Sequence, residues 1–174
     1  MTMKLRRRTI LGGIAAAIAT GAPRGVAAGA LPTPTGKVVL TISGKIGAGN
    51  GDGKAAFDRE MLEACGLSGF TTTTPWYNGP VRFEGVMLDR LMKEVAAGGD
   101  AITAFALNDY TTDIPIDDFA KYNVILALKR DGEYMPVKDK GPLFIVYPYD
   151  STPELKHQKF YSRSAWQLNR IVVK

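Results

Sequence analysis

Beyond residue 36, apolar positions fall in short bursts separated by glycine, proline and charged pairs, and the spacing inside each burst names its element. Residues 38–43 form a β-branched run stopped by Gly44, which predicts a first strand. Phe57, Met61, Leu62 and Cys65 recur at helical spacing until Gly66 ends the run. Residues 69–74 and the alternating Val81-Arg82-Phe83 predict strands. Met87, Leu88, Leu91, Met92 and Val95 line one face of a helix over 87–97, closed by Gly98 and Gly99.

Residues 101–107 predict a strand that runs straight into Asn108, Asp109 and Tyr110. A short helix is expected near Asp117, with Asp117 and Asp118 facing solvent where carboxylates favour the dipole. Residues 123–129 predict a buried strand, Asp131-Gly132 a two-residue hairpin turn, and 133–137 the returning strand. Residues 143–147 make a further strand, Ser151-Thr152-Pro153-Glu154 has the spacing of a capping box, and 164–173 alternate as a last strand. Many short strands with two substantial helices give an α+β domain, a compact mixed or barrel-like sheet with a few short helices, over residues 37–174.

The first thirty residues have a different pattern. Lys4, Arg6, Arg7 and Arg8 precede a mildly apolar, Gly/Ala-rich run over 10–19, followed by small residues at 27–30. That is the layout of a signal peptide, and Arg7-Arg8-Thr9-Ile10-Leu11 fits the core of the twin-arginine pattern, with Arg6 where Ser or Thr is usual. Residues 31–36 follow as a Pro/Thr linker, and export to the periplasm is the expectation. The charge reading changes accordingly. The basic residues of this segment, Arg24 included, account for the whole net charge of +5 and leave 17 basic residues against 17 acidic ones. The excess therefore belongs to an address and not to a nucleic-acid surface. No later apolar run is long enough to embed the chain in a membrane once that segment is removed.

Chemistry-bearing residues are few. Cys65 is the single cysteine, reads as a small buried hydrophobe, and has only His157 to join it, so no Cys/His metal cluster can be assembled, and no Cys-His or Ser-His-Asp arrangement has a second supporting feature. His157 reads as a solvated residue. The glycine-rich loop 44–53 fails both the phosphate-loop and the dinucleotide spacing, which leaves a mobile turn. Three clusters remain at strand ends: Trp76 with Tyr77 and Asn78, then Asn108-Asp109-Tyr110, and the polar string 138–141. Aromatic faces beside a carboxylate, an amide and cations suit a planar, hydrogen-bonding heterocycle. The same residues taken singly also fit an Asx turn and a core anchor.

The segments FEGVMLDRLM (83–92), ALNDYTTDIP (106–115), LALKRDGEYMP (126–136), KGPLFIVYP (140–148) and WQLNRIVV (166–173) stand in an order that resembles the molybdopterin-binding domain of the sulfite oxidase type. The resemblance implies a molybdopterin or pterin cofactor and covers nearly all of residues 37–174. In catalytic members a cysteine thiolate in the loop before this region ligates molybdenum. Here the matching positions are Thr71-Thr72-Thr73-Thr74-Pro75-Trp76, and a hydroxyl is a poor substitute for a soft thiolate. The implied protein is an exported, non-catalytic pterin sensor or carrier that reports to the periplasmic domain of a membrane signalling protein. The alternative is a molybdenum-dependent oxidoreductase with an atypical ligand set. Within that resemblance Asn108 and Asp109 are the candidates for the pterin edge, Trp76 and Tyr110 for stacking, and Arg82, Lys140 and Arg163 for a phosphate or hydroxylated side chain.

Overall fold

The computed structural model describes residues 29–174, so the expected signal peptide lies almost entirely outside the described residues. Ten strands build two five-stranded sheets. The first sheet contains β1 (Leu40–Gly44), β2 (Ala55–Phe57), β5 (Ala101–Ala106), β6 (Thr111–Pro115) and β10 (Leu168–Val173), ordered β2-β1-β10-β5-β6. Among the described residues only β1 and β10, the first and last strands there, run parallel. The second contains β3 (Leu67–Thr74), β4 (Tyr77–Met87), β7 (Ile125–Arg130) and β8 (Glu133–Tyr134) in that order, with β9 (Phe144–Val146) also paired to β7.

The alternation that predicted strands is what the sheets bury. Leu40 and Ile42 of β1, Val81 and Phe83 of β4, and Ile171 and Val173 of β10 all face one continuous core. β7 and β9 are buried along almost their whole lengths because they sit centrally against that core, which is why they read as unbroken apolar runs. β4 is longer than the three residues that signalled it, since Gly79 and Gly85 interrupt its pattern without ending it. At Gly85 a side chain would collide with the Leu126 carbonyl on β7, so glycine permits the close strand approach beside the bulge at 84–85.

Four short helices flank the sheets: α1 (Arg59–Ala64), α2 (Leu88–Glu94), α3 (Asp117–Lys121) and α4 (Gln158–Arg163). Asp58 caps α1 by accepting from Met61 N–H at 2.9 Å, and this places Phe57 on β2 instead of on the helix its spacing suggested. Leu88, Leu91 and Met92 bury the inner face of α2, as the pattern required. None of these helices crosses a membrane: no described helix is long and apolar enough.

Four expectations need correction. Asp117 is exposed, but Asp118 is not, because consecutive helical positions point about 100° apart. Asp118 accepts from Tyr147 O–H at 2.9 Å and from the Arg163 guanidinium at 2.6 Å. The 151–154 capping box does not form. Thr152 makes no side-chain cap, and the segment yields one 3-10 turn, Pro153–Leu155. The strand expected over 133–137 stops after Tyr134, where Pro136 leads into the 3-10 turn Val137–Asp139. The glycine-rich loop is fastened: Gly47 and Ala48 donate to the Val95 carbonyl, and the Asn50 side chain pairs with both Ala56 N–H and C=O. In the preceding segment, Thr35 and Gly36 N–H both donate to Asp58 at 2.9 Å.

Candidate functional site

A cleft of about 320 Å³ opens where three segments meet at one end of the sheets. The β3–β4 turn supplies Pro75 and Trp76, and the β5–β6 loop supplies Asn108 and Tyr110. Gln158, Tyr161 and Ser162 come from α4, and Ser164 and Trp166 from the segment that enters β10. Four aromatic rings, two of them phenols, therefore meet two amides and two serine hydroxyls, and the lining contains no Asp, Glu, Lys, Arg, His or Cys.

Each wall has its own support. Trp76 lies edge-on to Phe144 at 5.4 Å between ring centroids and to Tyr149 and Tyr161 at 6.2 and 6.1 Å, so the indole is wedged into an aromatic cluster with one part left open to the cleft. The turn that carries it is pinned from behind. Asp150 accepts from Thr73 N–H at 2.6 Å and Thr73 O–H at 2.7 Å, and Asp150 N–H donates to the buried Thr72 hydroxyl at 3.1 Å. Lys156 lies 2.7 Å from Asp150, and together with the Thr73 bonds it holds the Asp150 carboxyl well below the usual carboxylate range.

In the β5–β6 loop, Asp109 adopts a left-handed conformation with φ 63°. Asn108 Oδ1 accepts from Tyr110 N–H at 3.2 Å, closing an Asx turn. Tyr110 O–H donates to the Ser162 carbonyl at 2.6 Å and so ties the loop to α4. On α4 the anchor is Arg163, bound to Asp118 with both side chains largely buried. The Ser164 hydroxyl is engaged with Tyr149 O–H and donates to the Phe160 carbonyl, while burial raises the Tyr149 hydroxyl far above its ordinary pKa.

The seven candidates from the sequence are thus distributed unevenly. Trp76, Asn108 and Tyr110 line the cleft together. Asp109 sits between two lining residues at an exposed loop tip and is not one of them. Lys140 stands at the edge, its Nζ 5.1 Å from the ring centroids of both Trp166 and Tyr77. Arg82 is on the outer face of β4 in an ion pair with Glu84 at 2.8 Å, and Arg163 is spent on Asp118, so neither reaches the cleft. Asp139 of the polar string accepts from Tyr77 O–H at 3.0 Å and pairs with Arg130, and burial pushes the Tyr77 hydroxyl up to about 12.

Cys65 lies elsewhere. It borders a separate groove of about 180 Å³ with Leu31, Pro32 and Met61, donates its thiol to the Met61 carbonyl at 3.3 Å, and is pushed up in pKa by burial. Of the four threonines that the resemblance sets against the thiolate position, three are committed locally: Thr72 and Thr73 to Asp150, and Thr74 as acceptor from Trp76 N–H at 3.3 Å, while Thr71 is exposed. Among the described residues no three His, Cys, Asp or Glu side chains gather as a metal site. This donor set suits a hydrogen-bonding organic ring and does not suit thiolate-held molybdenum.

Two packed five-stranded sheets with a few short helices and an aromatic cleft at one end define the class: an α+β cofactor-binding domain. The Oxidoreductase molybdopterin binding domain family matches residues 51–151, well over half of the chain, and the chain belongs to that family. Comparison with curated proteins gives no match. The matched segment contains Pro75, Trp76, Asn108 and Tyr110, whereas α4 and Trp166 lie beyond it.

Proposed function

We propose that the cleft binds a pterin without molybdenum, and that the protein acts as an exported sensor or carrier working with the periplasmic domain of a membrane signalling protein. The observation that carries this reading is the lining itself. Trp76, Tyr110, Tyr161 and Trp166 offer faces and edges for a planar ring, and Asn108 and Gln158 offer paired donors and acceptors for its polar rim. The family's molybdopterin contains a pterin ring, which supports this reading. The soft ligand that would hold the metal is replaced by threonine hydroxyls bound to Asp150.

Family membership is also compatible with a second reading, a molybdenum-dependent oxidoreductase with an atypical metal ligand set. The two part on one preparation. Protein purified from the periplasm is denatured in acid, and the released small molecule is read by fluorescence and mass beside the metal content. A pterin at near-equal stoichiometry without molybdenum is the expected result. Molybdopterin with stoichiometric molybdenum would establish the second reading instead.

A further inference from the structure

A β-sheet edge is a row of unpaired N–H and C=O groups, and folded proteins keep such rows short, charged, proline-broken or covered. Most edges here follow that rule. β2 has three residues, and the Asn50 amide occupies the Ala56 N–H and C=O. β6 carries Asp113, paired with Lys174, and ends at Pro115. β8 has two residues including Glu133, and β9 is covered by the 164–166 segment, with Ile145 N–H donating to the Ala165 carbonyl.

β3 differs in every respect. It is eight residues long, contains neither charge nor proline, and pairs only with β4. Its orientation follows from Arg82, whose N–H donates to the Asp131 side chain and whose C=O accepts from Asp131 N–H. Both Arg82 groups face away from β3, so Thr71, opposite Arg82, points its own N–H and C=O outward, as do Gly69 and Leu67 by strand alternation. Thr73 N–H points the same way and is taken by Asp150. Upstream of it no described segment lies on the edge, and Leu67, Ser68, Gly69 and Thr71 are exposed, with Leu67 43% accessible.

We propose that this edge pairs antiparallel with the same edge of a second copy, joining the β3-containing sheets of two protomers into one. Two-fold pairing centred on Gly69 places Leu67 opposite Thr71 of the partner and lets Leu67, Gly69 and Thr71 form about six interstrand hydrogen bonds. The side chains argue for self-association. A charged residue on such an edge would meet its own like charge or an uncharged row across the axis, and this stretch has none to repel or to select a charged partner. The exposed Leu67 gains an apolar neighbour from the partner's Thr71 methyl. Only five residues are free, so the interface is small and the dimer dissociates on the order of 10–100 µM, towards the weak end of specific association.

Sedimentation velocity and amide hydrogen exchange across that concentration range test the pairing on the full folded chain. Dimer formation is expected, with exchange at Gly69 and Thr71 slowing as concentration rises. Ser68 and Phe70, which already bond to β4, should not change. Thr71→Pro removes an outward donor without touching a β4 bond and should weaken self-association at least tenfold; Leu67→Lys, which leaves the backbone intact, should do the same by setting a charge in the row. A wild-type protein that stays monomeric throughout overturns the proposal, as does a dimer that survives both substitutions with Gly69 and Thr71 still exchanging freely.

Discussion

The two walls of the cleft are built on opposite principles. The Trp76 wall is an extension of the sheet: β3 and β4 carry it, Phe144 and Tyr149 brace it, and Asp150 fastens the strand behind it through solvent-facing bonds. The α4 wall is a six-residue helix, too short to persist by itself, held to the body by Phe160 and by the Arg163–Asp118 ion pair. One wall rests on packing and the other on a largely buried charge pair. Phe160 and the Tyr110 bond to the Ser162 carbonyl share that task, but the ion pair is the one contact of α4 whose loss leaves a charge largely buried without its partner.

The largest effect should therefore come from breaking the pair. Asp118→Ala leaves Arg163 with an uncompensated charge in a mostly buried site and frees Tyr147 O–H, which should cost ~3–5 kcal/mol in denaturant unfolding. If the protein stays folded, pterin affinity should fall as well, because Gln158, Tyr161 and Ser162 all ride on α4. A cost under about 1 kcal/mol, the size of an exposed pair, would show that the helix is held by packing after all. Trp76→Ala ranks second. It removes a partly buried ring with three aromatic neighbours and should cost ~2–3 kcal/mol, less than a fully buried tryptophan. Pterin affinity should drop at least tenfold, read by titration with a reduced pterin. Unchanged affinity in the folded variant would remove Trp76 from the site.

The same contrast explains what could be read from the chain. The sheet wall was legible: alternation marked the strands, and Trp76, Asn108 and Tyr110 stood out as aromatic and amide groups at strand ends. The α4 wall was not. In 158–163 the helix has one buried apolar residue, Phe160, so it shows no amphipathic repeat, and Tyr161 and Ser162 look like surface residues. Asp118 and Arg163 are 45 residues apart and give no local sign of pairing. The pairing of Arg163 with Asp118 was hidden for that reason, and Arg82 lies away from the cleft in an ion pair with Glu84, its neighbour on the same strand face. β6 went unseen because Thr111 and Asp113 face solvent on an edge strand and leave only Ile114 buried.

The sheet wall's own fastening gives the smallest effect and the sharpest test of its kind. Asp150 is substantially exposed, so its bonds to Lys156 and Thr73 act through screened charge. Its folded pKa lies below the unfolded value of about 3.9, so the deprotonated form is the one that stabilises the fold. That contribution is fully present above the unfolded pKa and is lost as pH falls through the folded one. Melting temperature should decline below about pH 4 in the wild type and decline less steeply in Asp150→Asn, with the two proteins converging at the acid end. Raising the salt concentration should narrow their gap at neutral pH but leave the Asp118→Ala deficit nearly intact, because the Arg163 pair is shielded from counterions and the Lys156 pair is not. If salt erased both differences equally, the α4 wall would be a surface-held element like its counterpart, and the distinction between the two walls would fall.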